Sequence, residues 1–563
     1  MADFGFVGPS YEAPSIYQDA QECINFYPEI DPMKPQGARG VVALYPTPGL
    51  TQQIQLNTAA VRGMRALSGS QYLIAVCGNI VYSINTSLVA TQVGTLTTST
   101  GYVSITDNIL QQTTTTACQF VGSISDTTLT VSSVLTGALE IGQTIQGITG
   151  SGVAANTTIT GGSGSSWTVS VSQTVASTTL VGQGNTTLTG LTAYIVDGVS
   201  RYYYNVPSST FATLPSTDGP WQGANVCDVV DNYIIYNQPG TQLWAATDLY
   251  SVFSTAAYYG AKDGSPDSLT SLIVDHRQVF LLGEVTSEVW IDVGSQQAGL
   301  VTFPFARISG TSMQHGVAAQ FSVARLGESF AFVSRDTRGQ TMIFQVQGYN
   351  TKRISTHAVE QTLVDQTISD AIAFTYQIEG HEFYVVTFPS VNLTWAYDLT
   401  TEMWHKWLWW NGNSFDRHRA NCFANFAGYS LVGDWQNGKI YSLDNAVYTD
   451  NGNTIRRVRR CPHLVSDLQR QYFAEMQIQF QPGVGLETGQ GQDPQAMLRW
   501  SSDGGSTYSN EHWVSIGKVG KYNNRAIWRR LGWSRDRIFE VVVTDPIKAV
   551  IVSANLKAEV GEN

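Results

Sequence analysis

One short segment limits the fold of this chain more than any other: Gly380–Trp410, GHEFYVVTFPSVNLTWAYDLTTEMWHKWLWW. Its runs His381–Phe388 and Leu393–Tyr397 have strand composition and are separated by the turn signal Pro389–Asn392. Asp398–Met403 then turns the chain into a third strand, Trp404–Trp410. Two or three short strands joined by tight turns cannot bury both faces alone. Such a unit has to stack on others like it, and copies are present. The same strand–turn–strand shape recurs around Tyr82, Tyr203, Trp244, Trp290, Phe344 and Tyr441, with Trp395 as the equivalent residue here. From Tyr203 onward these aromatics are 41, 46, 54, 51 and 46 residues apart. A period of about 40–50 residues built of four short strands marks a propeller blade. In an ordinary sandwich single strands recur every ~8–12 residues, whereas here a whole multi-strand unit recurs. The expected fold is all-β, a β-propeller of six or seven blades with seven favoured.

The step from Tyr82 to Tyr203 is 121 residues and breaks the rhythm. A Thr/Ser/Gly-rich block at 113–190 accounts for the excess, since removing about 75 residues restores a blade-length step. Asp126 and Glu140 are its only charged residues. Leu129/Val131 and Trp167/Val169/Val171 alternate between glycine turns, so the block reads as a small inserted β domain in a loop of the second blade. Long insertions in surface loops are tolerated, and a projecting tip module is expected. Residues 1–60 read as an extended N-terminal arm leading into the propeller. There, Pro28, Pro32, Pro35, Pro46 and Pro48 argue against a helix or a central strand. The propeller is expected over 61–455, interrupted by the insertion. Beyond it, 456–563 reads as a C-terminal β-sandwich-like domain of five to seven strands, with Met476/Ile478/Phe480 and Ile538/Glu540/Val542 alternating.

Charged residues are only 13% of the chain, about half the usual share, which suits a protein with much of its surface covered in an assembly. The net charge of −12 is uneven. Residues 456–563 carry 15 Lys/Arg against 11 Asp/Glu, a surplus of four positive charges, and residues 1–455 carry 17 against 33, a surplus of 16 negative ones. The acidic bulk should repel nucleic acid instead of gripping it. No apolar run approaches the ~20 residues of a membrane helix, and MADFGFVGPSYEAPS lacks the basic and apolar regions of a secretory signal. Cys23, Cys77, Cys118, Cys227, Cys422 and Cys461 lie far apart without a Cys-x-x-Cys pair, and read as buried free thiols of a chain made in a reducing cytoplasm.

The motifs that could carry chemistry resolve into structural ones. Ser501–Tyr508 resembles the Asp-box turn that sialidases repeat on propeller blades, but it occurs once and outside the repeats. Its Asp503 and glycines are the groups a hairpin turn needs. Asp248, Asp398 and Asp444 sit in turns and read as turn-makers, not catalytic carboxylates. The run Trp404–Trp410 reads as blade packing, although it could stack sugars or bases. Arg456, Arg457, Arg459 and Arg460 invite a nucleic-acid reading, but the alternation suits an exposed strand edge or an interface with an acidic neighbour. No phosphate loop, nucleophile elbow or His-Glu-x-x-His spacing occurs. No catalytic, cofactor-binding or metal-ligating residue is assigned, no cofactor is expected, and the chain is expected not to be an enzyme.

Three stretches together resemble a known family. They are Asn25–Leu50 (NFYPEIDPMKPQGARGVVALYPTPGL), Glu288–Gly348 (EVWIDVGSQQAG to MIFQVQG) and Ser501–Ile551 (SSDGGSTYS to DPIKAVI). They are similar to the packaged-DNA stabilisation, or tail hub and nozzle, proteins of short-tailed phages of the P22 type. The inserted block departs from that pattern. The resemblance implies a structural virion protein forming a homo-hexameric ring below the portal and its adaptor. Such a ring prolongs the DNA channel, retains packaged DNA and allows its ejection. It also implies contacts with the portal-adaptor ring, the tail needle or plug and the tail spikes or fibres. Double-stranded DNA would pass without sequence-specific binding, no segment would span a membrane, and the protein would reside in the virion tail after assembly in the host cytoplasm. Side chains fill a single propeller's axis, so the channel is expected on the axis of the ring. Two alternatives stand beside this reading: a propeller glycosidase or sialidase-like enzyme, and a host-glycan-binding tail protein acting through the inserted domain.

Overall fold

The computed structural model describes residues 2–34, 41–113, 116–147, 152–183, 188–294, 296–297, 300–301, 303–336 and 338–561. Seven four-stranded antiparallel sheets form the blades of a propeller. In chain order their innermost strands are Val61–Ala66, Ser104–Thr113, Cys227–Val230, Leu269–Asp275, Ala324–Leu326, Ile372–Ile378 and Ala420–Phe426. Each recurring aromatic lies on the third strand of its blade: Tyr82, Tyr203, Trp244, Trp290, Phe344, Trp395 and Tyr441. The recurrence marks a position in the blade because the third strand packs between neighbours. Trp244 contacts Trp290 edge-on, with ring centroids 5.5 Å apart, across the interface between blades three and four. Trp395 and Trp404 join Val333 and Ile343 in the core between blades five and six. Blades thus hold together by apolar side chains meeting face to face.

Blade seven shows how the ring closes. Its strands Ala420–Phe426, Tyr429–Asp434 and Lys439–Asp444 supply only three of four. Gly49–Gln55, from the start of the chain, pairs antiparallel with Lys439–Asp444 as the fourth. The N-terminal strand therefore ties the last blade to the first.

The insertion enters blade two between its first strand, Ser104–Thr113, and its second, Leu188–Val196. It is a four-stranded sheet in which Ser166–Gln183 pairs with Thr116–Gly137, Thr144–Gly147 and Ile159–Ser163. Phe120, Leu129, Ile145, Ile159, Val169 and Leu180 give it a core of its own.

Three readings need correction. The run Trp404–Trp410 is not one third strand. Ile372–Ile378 precedes the segment as the blade's first strand, so Met403–Lys406 is the fourth and outermost, and Leu408–Trp410 forms a separate hairpin with Phe415–Arg417. The break falls where the side chain of Asn25 takes both backbone groups of Leu408: its Nδ2 donates to the carbonyl at 2.9 Å and its Oδ1 accepts from the N–H at 2.8 Å. Nor does the N-terminal arm avoid central strands. Ala20–Ile24 lies between Met403–Lys406 and Arg457–Arg460, and Val42–Pro46 lies between Phe26–Ile30 and Ile551–Val560. The prolines tolerate this because Pro28 sits on an edge strand and Pro46 ends its strand; Pro35 lies outside the described residues. Finally, Arg457–Arg460 is not an exposed edge. It is an interior strand between Ala20–Ile24 and Asp536–Val543, and Arg457 and Arg459 are fully buried.

Seven strands from Gln471 onward build the C-terminal sandwich. One layer is continuous with blade six. The order runs from the blade through Met403–Lys406, Ala20–Ile24, Arg457–Arg460, Asp536–Val543 and Gln495–Ser501 to the edge strand His512–Ser515. The other layer runs from Phe26–Ile30 through Val42–Pro46, Ile551–Val560 and Gln471–Phe480 to the edge strand Ala526–Arg529. Propeller, arm and sandwich share hydrogen-bonded sheets.

Candidate functional site: the propeller axis and the arm–sandwich joint

The seven innermost strands surround a cavity of about 620 Å³ on the propeller axis. That is the size of a small-ligand pocket, ~300–1,000 Å³, closed round by the inner strands of all seven blades. Part of its polar lining is taken up by hydrogen bonds within blade one and the connection after it, and by one from blade seven to blade one. Arg62 donates to the carbonyls of Gly78, Thr98, Thr100 and Gly101, and Asn421 Nδ2 to Val61 O.

The densest polar chemistry lies where the arm enters. Lys406 Nζ, at the outer edge of blade six, meets Glu22 Oε1 at 2.7 Å and Glu12 Oε2 at 3.4 Å. Arg460 Nη2 lies 2.9 Å from both Glu22 Oε2 and Glu540 Oε2, and Arg499 Nε donates to Glu540 Oε1 at 2.6 Å. Burial alone would raise the Glu22 carboxyl, but Lys406 and Arg460 outweigh it and hold the group below its ordinary range. Burial likewise opposes the charge of Lys406, and Glu22 and Glu12 more than restore it. This chain of alternating charge crosses from blade through arm to sandwich.

Beside it, Arg459 uses its whole guanidinium on the arm. It donates to the carbonyls of Phe6 at 2.5 Å, Pro9 at 2.7 Å and Glu22 at 3.3 Å, and to Gln21 Oε1 at 2.8 Å. Asn25 turns the arm with φ of 58°, a left-handed conformation that asparagine tolerates better than most residues. It also donates to Arg456 O at 2.8 Å. A third tie is His381, whose Nδ1 lies 2.7 Å from Asp398 Oδ2 and whose Nε2 bonds Glu29 of the arm. Burial would depress this imidazole, but the two carboxylates dominate and lift it to about 8.

The remaining sequence candidates fall into place around these ties. Asp398 also caps its turn through Thr400 N and Thr401 Oγ1; Asp444 caps Ala446 N, and Asp248 accepts from Thr255. In the Asp-box segment, Asp503 accepts from Thr507 N at 2.9 Å and from the hydroxyls of Ser501 and Thr507, which lower its carboxyl to about 2. Trp395, Trp404 and Trp407 are buried packing residues. All six cysteines are free thiols, and burial pushes Cys23, Cys227, Cys422 and Cys461 up to about 12. Among the described residues no three His, Cys, Asp or Glu side chains converge as a metal site, and no helix is long and apolar enough to cross a membrane. Sequence reasoning missed Glu22, Lys406, Glu540 and His381. Only the isolated charges within β-rich runs signalled them.

Comparison with known proteins follows the same division. A family profile described as the bacteriophage P22 Gp10 β-propeller matches residues 134–448, and one described as the P22 Gp10 β-sandwich matches residues 456–559. The tail hub protein gp10 of Salmonella phage P22 is 19% identical over 362 residues, covering 62% of this chain and 74% of that protein. Among solved structures, a chain of the mitotic checkpoint complex aligns with a TM-score of 0.33 at 10% identity, over 74% of this chain and 96% of its own. PorZ, a surface component of the type-IX secretion system of Porphyromonas gingivalis, aligns with a TM-score of 0.29 at 10% identity, over 75% of this chain and 44% of its own. With both its propeller and its sandwich matched, this chain belongs to the phage P22 Gp10 family.

Proposed function

We propose that this protein is a structural component of a short-tailed phage virion, the hub or nozzle of the tail. In this reading six copies form a ring below the portal and its adaptor, extend the DNA channel, retain the packaged DNA and release it at ejection. The ring would touch the adaptor above and the needle or plug and spikes or fibres around it, after assembly in the host cytoplasm. It would carry no enzymatic step. One observation carries the reading: a P22 Gp10-family propeller whose axis is a cavity of about 620 Å³ and whose sheets run on into the sandwich. Such a unit is a wall block, and a duplex would pass between copies, on an axis the copies share. The acidic bulk of residues 1–455 suits a wall that DNA slides along without sticking. Gold labelling of this protein in purified virions, viewed by electron microscopy, tests it. Label should sit on the tail axis; label on capsid faces or fibres would reject the assignment.

A further inference from the structure

The side of the sandwich farthest from the propeller has a chemistry unlike the rest of the molecule. Both layers end there on unpaired edge strands, His512–Ser515 and Ala526–Arg529. They are neighbours, since Trp528 Nε1 donates to His512 O at 2.8 Å. From His512 to Arg535 the chain has six Lys or Arg and no Asp or Glu. Lys521, Arg525 and Arg530 are exposed, and among the described residues no carboxylate lies within ion-pair distance of them. Trp513, Tyr522 and Trp533 on the same stretch are 58%, 70% and 52% exposed.

Cations alone would serve to keep a sheet edge from pairing with another edge. Large exposed aromatics do not serve that end. Tyr, Trp and Arg together are the composition that protein interfaces favour, whereas a duplex would meet the cations and leave the aromatic rings in water. The edge also docks poorly on its own symmetry mate, because an isologous contact would set the unpaired Lys521, Arg525 and Arg530 of one copy against the same three of the other, Lys518 and Arg529 being paired with Asp493 and Glu475 of their own sandwich. Its partner must be acidic, and the surplus of 16 negative charges on residues 1–455 of this same chain offers one.

We propose that the basic, aromatic edge formed by residues 512–535 docks on the acidic propeller of a second copy of this chain. The contact is heterologous, one surface of one copy on a different surface of the next, which is the kind of contact that closes rings. The inference rests on the ring of the proposed function and adds which faces meet.

Zero-length carbodiimide coupling of intact tails, read by mass spectrometry, tests it. The expected product is a chain-to-chain adduct joining Lys518 or Lys521 to an Asp or Glu within 61–444. Tails carrying K521E/R525E/R530E should lose that adduct and fail to complete the hub, while the purified variant keeps the wild-type circular dichroism and melting temperature. Coupling of these lysines only within their own domain or to a different protein overturns the inference, as does a formaldehyde adduct between this segment and DNA. Symmetry-averaged images bear on the other level: tails with no ring of this chain defeat the ring itself, whereas a ring with the wrong adducts defeats only the choice of faces.

Discussion

Blade meets blade and propeller meets sandwich through opposite kinds of chemistry. Between blades three and four the core of the contact is Trp244 against Trp290, Phe303 and Phe305, apolar and non-directional, with Asp228 and Asp231 of blade three adding a hydrogen bond to Val274 N and an ion pair to Arg277 beside it. Between blade six and the sandwich it is Lys406, Glu22, Arg460, Glu540 and Arg499 in alternation, with the arm strand Ala20–Ile24 as the shared member. The apolar joints recur around a ring, so each must be strong but need not be unique. The charged joint occurs once and must select a single register between segments more than 380 residues apart in the chain. Buried charge is costly when mispaired, which makes it a poor source of stability and a good source of register.

The largest effect should come from the apolar side. Trp244→Ala removes a fully buried indole from the core between blades three and four and should cost ~3–5 kcal/mol, read as a lower denaturation midpoint with little change in its pH dependence. Glu540→Ala should cost a similar ~3–5 kcal/mol, because it removes the buried carboxylate that Arg460 and Arg499 share, leaving Arg460 with Glu22 alone and Arg499 with no carboxylate in ion-pair distance among the described residues. The comparison sharpens with Arg460→Met, Glu540→Leu and Arg499→Met combined. If the joint selects register more than it stabilises, the triple variant should recover most of the loss of Glu540→Ala while its arm becomes more accessible to protease. A triple variant as unstable as the single one would show the charges to be a net source of stability.

How far the sequence revealed this follows from the same contrast. The blades were legible because the residues that pack them recur on one strand of a local unit, so Trp395 and its six equivalents could be found by spacing. The insertion was legible from its near absence of charge. The joint was not. Arg457 and Arg459 look like exposed edge residues until Ala20–Ile24 arrives from more than 400 residues away to cover them, and nothing in a local pattern announces that pairing. The closing strand Gly49–Gln55 was hidden for the same reason, although a last blade with only three strands of its own was the available clue. Pro28 and Pro46 misled because a proline excludes a central ladder position, not the end or the edge of a strand.

Smaller effects should appear with pH, and the histidines that carry them lie at the joint and its surroundings. His405 and His418 are buried, and burial holds them neutral, near 4 and near 3. Neither ring nitrogen of His405 has a partner among the described residues. Their folded values lie below the unfolded ~6.5, so their contribution is complete above pH 6.5 and is lost as pH falls, by about 2 kcal/mol for each histidine at pH 5. His381 has the opposite sign. Its folded value of about 8 lies above the unfolded one, so its tie between Asp398 and Glu29 is fully present below pH 6.5. That contribution fades as pH rises from 6.5 through 8, by on the order of 1–2 kcal/mol. The three histidines together therefore favour a pH near 6.5, while Asp218 and Asp450, raised by burial to about 6 and about 7, act in the opposite sense on the acid side and blunt that limb. Glu29→Gln keeps the shape of the arm and removes one of the two charges on His381. It should lower the imidazole midpoint followed by NMR and flatten the alkaline limb, leaving the acid limb alone. An alkaline limb unchanged in that variant would mean that the arm is held by Arg459 and Glu22 alone, and that His381 packs against the arm without locking it.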